Sequence, residues 1–130
     1  DDGTGIRQLT DYPSNDSTAL EWEYHAGPPQ WIDSNQISYL SKQNSNYSIF
    51  SISPLGTNYK QLTPDSTSNG YLSNEGWHSW SRDNKYIAFN PTNMVGNYDI
   101  YIMKSDITGL KRLTRTQWYA QAPVFVYPED

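Results

Sequence analysis

The chain has 130 residues, with nine Lys and Arg against fourteen Asp and Glu, and a formal net charge of −5. This length suits one domain rather than two, and an acidic chain without a basic patch is not expected to bind nucleic acid. The absence of Cys excludes disulfides, thiolate zinc sites and thiol catalysis, and no apolar run is long enough to span a membrane. The chain opens with Asp1-Asp2-Gly3 rather than Met, which is typical of a processed protein or an excised fragment.

The first ten residues end in a Leu-Thr pair that recurs twice, at intervals of about fifty residues. The three copies are Leu9-Thr10, Leu62-Thr63 and Leu113-Thr114. An apolar residue and two long polar residues precede each pair, which favours a short outer strand. A period of this length is typical of propellers and other repeat proteins. Residues 1–10 are therefore predicted to be a lone last strand of such a unit, which we name a D strand.

Three further strands are predicted before each of the two later Leu-Thr pairs. Strand A ends at a Trp, strand B alternates in polarity, and strand C is rich in β-branched and aromatic residues. These features fall at Trp31, Gln36–Leu40 and Tyr47–Ile52 in the first unit and at Trp80, Tyr86–Phe89 and Tyr98–Lys104 in the second. Gly56 and Gly109 fall in the turn from C to D, where glycine adopts a positive φ at little cost. Four antiparallel strands in a repeat of this length predict a β-propeller blade.

The whole chain is therefore predicted to be all-β and to consist of propeller blades. Residues 1–10 are the lone D strand, 11–63 the first four-stranded antiparallel blade, and 64–114 the second. Residues 115–130 are the start of a further blade with a partial A strand, in which Pro123 and Phe125 align with Pro29 and Trp31. Because a blade buries its faces against neighbours, we expect further blades as partners, from copies of this chain or from the rest of a longer one.

The second unit carries a resemblance to a known family in three segments. These are Trp80-Ser81-Arg82-Asp83-Asn84-Lys85-Tyr86-Ile87-Ala88-Phe89, Asp99-Ile100-Tyr101-Ile102-Met103 and Leu113-Thr114. The pattern resembles the TolB-type, WD40-like β-propeller repeat, with Arg82 in place of Pro and Asn84 in place of Gly. Asn can supply the same turn. The resemblance implies a non-enzymatic, protein-binding scaffold with an envelope protein as partner. Together with the Tyr-, Trp-, Ser- and Asn-rich composition, it indicates a periplasmic or extracellular (secreted) location.

Two groups of side chains are candidates for function. His25 and His78 are the only histidines, and with Glu75 as nearest carboxylate they are the candidates for a metal or acid–base site. Catalytic and cofactor motifs are not found in the sequence, and we expect neither a cofactor nor a bound metal. Aromatic side chains in loops can anchor a protein partner; the candidates are Trp22, Tyr24, Tyr71, Trp77, Trp118 and Tyr119.

A recurring aromatic and a recurring Leu are expected to pack one blade on the next. The aromatic is Trp31, Trp80 or Phe125, and the leucine is Leu9, Leu62 or Leu113. The unpaired D and A strands are expected to recruit strands from elsewhere.

Three functions remain open after this comparison. The first is the protein-binding or scaffolding module. The second is a self-assembling structural subunit in which blades pack and strands pair between chains to form a ring, fibre or tube. The third is the propeller portion of a peptidase, or of a lyase with its site in the propeller channel.

Overall fold

Two four-stranded antiparallel sheets follow one another along the chain. The structure, a computed structural model, describes residues 2–11, 26–43, 46–63, 75–91, 99–115 and 117–129. The first sheet has the strand order β1-β2-β3-β4 and the second β5-β6-β7-β8. The strands are β1 Gln30–Asp33, β2 Gln36–Gln43, β3 Asn46–Ile52, β4 Lys60–Gln61, β5 Glu75–Trp80, β6 Tyr86–Pro91, β7 Tyr101–Lys104 and β8 Lys111–Arg112. Sequential antiparallel neighbours are the arrangement of a propeller blade, so the predicted fold class is confirmed.

The described part of the chain contains no helix, so none there is long and apolar enough to cross a membrane.

Short polar side chains stabilise the turn between strands A and B of the second blade. In the turn from β5 to β6, the Asp83 carboxylate accepts hydrogen bonds from the Ser81 hydroxyl at 2.7 Å and the Lys85 amide at 3.2 Å. Asn84 has a φ of 56°, in the left-handed region that Asn tolerates better than most residues. Asn84 therefore supplies the turn for which the related repeat uses Gly, as the sequence predicts.

Strand alternation gives each blade two different apolar faces. Cross-strand pairs place Ile37 beside Ile52 and Tyr39 beside Phe50 on one side of the first blade. This side, which we call the leading face, has its counterpart in the second blade at Ile87, Phe89, Tyr101 and Met103. The opposite side, the trailing face, carries Leu40, Ile49 and Leu62 in the first blade. Because side chains alternate along each strand, the pairing register places one set of apolar residues on the leading face and the other set on the trailing face.

The main core lies between the two blades. The trailing face of the first blade packs on the leading face of the second, and Ile49, Ile87 and Phe89 are each 0% exposed there. Trp80 and Leu40 pack at the edge of the same cluster. The interblade role predicted for the Trp of strand A is therefore confirmed at Trp80, whereas its counterpart Trp31 is 62% exposed. The reason is that, among the described residues, no second sheet lies opposite the leading face of the first unit.

The two terminal segments form no strand in the described structure, although a D strand and a partial A strand are predicted there. Residues 2–11 and 117–129 have no laddered neighbour among the described residues, and a strand exists only with a partner. Both segments nevertheless pack on the blades. Leu9 packs against Tyr39 and Phe50 of the first leading face, and the Ala122 amide donates to the Asn90 side-chain oxygen of the second blade at 3.3 Å.

Strand C of the second blade is described from Tyr101, with Asp99 and Ile100 before it, and Tyr98, where the strand is predicted to begin, lies outside the described residues. Ile100 nevertheless makes the same bonds to strand D as its counterpart Ile49, because its amide donates to the Thr114 hydroxyl at 2.9 Å and its carbonyl accepts from the Leu113 amide at 2.7 Å.

Equivalent leucines of the two units give a direct test of interblade packing. Leu62 is 7% exposed and Leu113 is 51% exposed, so Leu62→Ala is expected to lower the free energy of unfolding by about 2–4 kcal/mol. Leu113→Ala should lower it by about 0.5 kcal/mol, as an exposed substitution does. Urea unfolding at low protein concentration measures both. Equal losses for the two variants would show that the blade contact is not the core.

Candidate functional site

His78 lies at the contact between the two blades. Strand β5 alternates, so Trp77 points outward with 50% of its surface exposed while His78 is 2% exposed. Its ring nitrogen Nε2 is 2.8 Å from the hydroxyl of Ser38, which belongs to the first blade. The His78 ring is therefore buried in the contact between the two blades of the chain.

The Ser38 hydroxyl is the centre of this polar contact. It accepts a hydrogen bond from Trp80 Nε1 at 2.9 Å and lies 3.2 Å from the Gln30 carbonyl, to which it donates. With the ring proton on Nε2, His78 also donates to Ser38, and every polar hydrogen of the group then has an acceptor. The Gln30 side-chain amide donates to the His78 carbonyl. Two residues from each blade are thus joined in one network.

The environment of His78 keeps the ring neutral. Burial lowers its pKa from 6.5 to about 4, because a cation loses its hydration inside the protein. Its Nδ1 has no hydrogen-bond partner within the described ranges. A neutral ring bonded to Ser38 joins the blades, and this position gives His78 a structural role.

The other metal candidates cannot be placed beside His78. His25 lies outside the described residues, and so does the side chain of Glu75, whose backbone begins β5. The described part of the chain contains no group of three His, Asp or Glu side chains that could hold a metal. The metal or acid–base pair of His25 and His78 stays a prediction.

Three of the six aromatic candidates for protein binding are described, and all three are exposed. Trp77 on β5 is 50% exposed, and Trp118 and Tyr119 in the C-terminal segment are 79% and 70% exposed. Trp22, Tyr24 and Tyr71 lie outside the described residues. The described aromatics therefore have the accessibility that a binding role requires.

The segment that presents Trp118 and Tyr119 is fastened to the second blade. The Arg82 guanidinium lies over the Tyr127 ring, 4.4 Å from its centroid, in cation–π geometry. The Arg82 amide also donates to the Tyr127 hydroxyl. Ala122 is held through Asn90, as described above. Aromatics on a fastened segment lose less conformational freedom when a partner binds.

A second polar group, which was not singled out from the sequence as a site, closes the outer edge of the second blade. Asp99 is 1% exposed and accepts a hydrogen bond from the Thr114 hydroxyl at 2.8 Å, and it forms an ion pair with Arg112. In the first blade, Ser48, Gln61 and Thr63 occupy the same places, and the Gln61 amide lies 3.4 Å from the Ser48 hydroxyl. The repeat thus has a charged and a neutral version of one contact.

Neither Ser38 nor Gln30 could have been chosen from the sequence, because neither residue recurs at its place in the second unit, which has Ala88 and Ser79 there. Asp99 begins Asp99-Ile100-Tyr101, one of the segments that carry the resemblance to the TolB-type repeat, and this is the signal that could have marked it.

The buried neutral His78 is expected to make the blade contact sensitive to acid. Below pH 6.5 the unfolded chain binds a proton that the folded chain does not take up until about pH 4. The contribution of the neutral His78 to the free energy of unfolding is therefore complete above pH 6.5. As the pH falls toward 4, the free energy of unfolding decreases by about 3 kcal/mol. Urea unfolding across this range measures the loss. The control is His78→Gln, which cannot titrate and should show a shallower pH dependence; parallel curves for the two chains would contradict the assignment.

Comparison with known proteins agrees with this architecture. No protein-family model matches the sequence, and no curated protein does. Among solved structures, a TolB-designated protein from Agrobacterium tumefaciens superposes with a TM-score of 0.57 at 21% identity, over 74% of this chain and 34% of its own. TolB from Acinetobacter baumannii gives 0.52 at 27% identity, over 69% and 21%. The chain thus spans about a third or less of each of these proteins, and its two sheets are β-propeller blades similar to those of the TolB structures.

Proposed function

We propose that this chain is a non-enzymatic propeller-repeat module that binds other proteins in the cell envelope or exterior. The observation that carries the proposal is the unequal burial of equivalent residues. Leu62 and Trp80 are covered by the contact between blades, whereas Leu113 and Trp31 are 51% and 62% exposed. Apolar residues that the repeat buries elsewhere mark surfaces that a protein partner can cover.

The C-terminal segment offers the best-defined surface for such a partner. Trp118 and Tyr119 are exposed, and the contact between Arg82 and Tyr127 fastens the chain that follows them. Exposed Trp and Tyr on a fixed support are the residues that most often dominate the energy of protein interfaces. Support for the envelope location comes from the similarity to TolB structures.

Site-specific cross-linking in the envelope fraction of the producing cell tests this surface. A photoreactive amino acid at position 118 is expected to form an adduct with a protein partner, because the Trp118 side chain is 79% exposed. The matched control is position 55, since Leu55 is 71% exposed but lies in the turn after strand C of the first blade.

Each outcome of that experiment decides the proposal. An adduct with another protein at 118 and not at 55 supports it. Equal labelling at both positions, or no adduct at 118, would overturn it, and an adduct made only of copies of this chain would favour the alternative that follows.

The alternative is self-assembly, and the two outer faces of the blade pair favour it. The leading face of the first blade has the same repeat positions as the face that packs on Ile49 inside the chain. The trailing face of the second blade has Ile100 and Leu113 where the first has Ile49 and Leu62. One chain's second blade could therefore pack on the next chain's first blade, a head-to-tail contact that generates a ring or a filament. Among the described residues, no observation favours the peptidase or lyase alternative.

Light scattering tests the alternative directly. Assembly is expected to raise the mass above the 14.9 kDa of one chain, and Leu113→Asp should return it to that mass, because a carboxylate on the trailing face would be buried without a partner. Leu55→Asp serves as the control at an exposed position off the blade faces. A monomer of the unsubstituted chain at all concentrations would exclude assembly.

A further inference from the structure

A row of polar side chains crosses the trailing face of the first blade, where that face meets the second blade. The strand register pairs Gln30 with Ser38, Ser38 with Ser51, and Ser51 with Lys60, so one residue from each of β1 to β4 points to the same side of the sheet. The corresponding row of the second blade is apolar at both central positions and consists of Ser79, Ala88, Ile102 and Lys111. The two hydroxyls at the centre of the row are therefore a feature of the first blade and not of the repeat.

Only half of this row is used to join the blades. Gln30 and Ser38 bond residues of the second blade, as described above. On the neighbouring strands, the Ser51 hydroxyl is 0% exposed and has no hydrogen-bond partner among the described residues, and Lys60 forms no ion pair with any of them. A buried hydroxyl without a partner is unfavourable, so this half of the row is complete only when a polar group from outside the chain bonds Ser51.

Ser51 and Lys60 line a cleft of about 260 Å³ between the two blades. Asn84 and Ser105 of the second blade also line it, which places the cleft at the end of the blades that carries the turns from strand A to B and from C to D. A water molecule takes up about 30 Å³ in the liquid, so the cleft is larger than one water bound to Ser51 requires. It is smaller than the roughly 300–1,000 Å³ of sites for drug-sized molecules, and its ligand is therefore small.

The side chains around Ser51 suit a carboxylate on a short hydrocarbon stem. Ser51 and Lys60 are direct cross-strand neighbours, and the Cβ atoms of such a pair are about 5 Å apart. A hydroxyl and an ammonium at this spacing can donate to the two oxygens of one carboxylate. The wall beside them is apolar and is formed by Ile32, Leu62 and Trp80. This wall can cover the stem.

An acidic residue at the other end of the cleft limits the ligand to one carboxylate. Asp33 lines the cleft from β1, and its carboxylate accepts a hydrogen bond from the Asn35 amide at 2.7 Å. Lys60 lies on β4, three strand spacings of about 4.8 Å away, so roughly 14 Å separates the two backbones. A second carboxylate that reached toward Asp33 would be repelled.

We propose that the cleft between the blades is a binding site for a small aliphatic monocarboxylic acid in its ionised form. Its carboxylate accepts hydrogen bonds from the Ser51 hydroxyl and the Lys60 ammonium, and its hydrocarbon stem packs on Leu62 and Trp80. The site lies between the blades and shares no residue with the exposed surface at Trp118. It therefore goes beyond the proposed protein-binding function, and either one can fail while the other stands.

Titration of the 130-residue chain with butanoate, followed by NMR of the backbone amides, tests the site. Saturable shifts are expected at residues 51, 60 and 105. Butanamide has the same shape without the negative charge, and it is expected to bind about tenfold or more weakly, because it cannot accept charge-assisted bonds through two anionic oxygens. A capped peptide with a central Glu is the third probe, since it carries the same group on a protein side chain.

Variants of the row locate the binding. Lys60→Met keeps the length of the stem but removes the ammonium, and it is expected to weaken butanoate binding by about tenfold or more. Lys111→Met is the matched control, because Lys111 has the same place in the second blade but stands opposite Ile102, and it should leave binding unchanged. Ser51→Ala should weaken binding without lowering the urea midpoint of unfolding, since its hydroxyl makes no hydrogen bond within the described structure.

The results that would overturn the proposal are distinct. They are absent saturable shifts, equal binding of butanoate and butanamide, equal effects of the two lysine variants, and a lower unfolding midpoint for Ser51→Ala, which would make the hydroxyl part of the fold. Tighter binding of the Glu peptide than of butanoate would overturn the assignment to a free acid. Both lysines are exposed, so their variants are expected to fold. Cross-linking at position 118 stays unaffected if only this site is wrong.

Discussion

The contact between the trailing face of one blade and the leading face of the next is the interaction on which this structure depends. A blade is a thin sheet with apolar residues on both sides, so neither sheet can shield its own side chains from water. Ile49 from one blade and Phe89 from the other reach complete burial only because they face each other. In a single sheet the same side chains would be exposed to water.

A polar network fixes how the two faces meet. Apolar packing alone tolerates sliding, whereas the hydrogen bonds among Ser38, His78 and Trp80 require one alignment of the blades. Burying these groups is favourable only while each donor has an acceptor. The most chemically suggestive side chain of the sequence, His78, therefore serves the packing of the repeat.

The need of each blade face for an opposing sheet also explains the exposed apolar residues at the ends of the described structure. The leading face of the first blade is covered only in part, by Leu9, and the trailing face of the second keeps Leu113 half exposed. A repeat array has such faces wherever its regular stacking is interrupted. Protein binding and self-assembly are two ways in which the exposed faces can be covered, and each uses a different set of residues.

Local patterns in the sequence were enough to predict the strands, the turns and the blade type. The Leu-Thr pairs, the alternation in strand B and the Asp-Asn turn depend on neighbours a few residues away, and these reappear in the structure at Leu62, Phe89 and Asn84. Trp31 and Trp80 look alike in the sequence, yet only Trp80 is covered, because burial depends on which sheet lies opposite. The candidate site was predicted less well, since the partners of His78 lie about forty residues away and carry no motif.

The sequence by itself therefore determined an all-β repeat of propeller blades, because strand and turn preferences act over short distances. Only the tertiary structure decided which repeat positions are core and which are exposed, and that His78 is a neutral interblade contact. It also decided that residues 2–11 pack on the first blade through Leu9 without forming a strand among the described residues. The burial of a side chain and the loss of its hydration depend on the sheet that lies opposite. That sheet is formed by residues far away in the sequence from the side chain it covers.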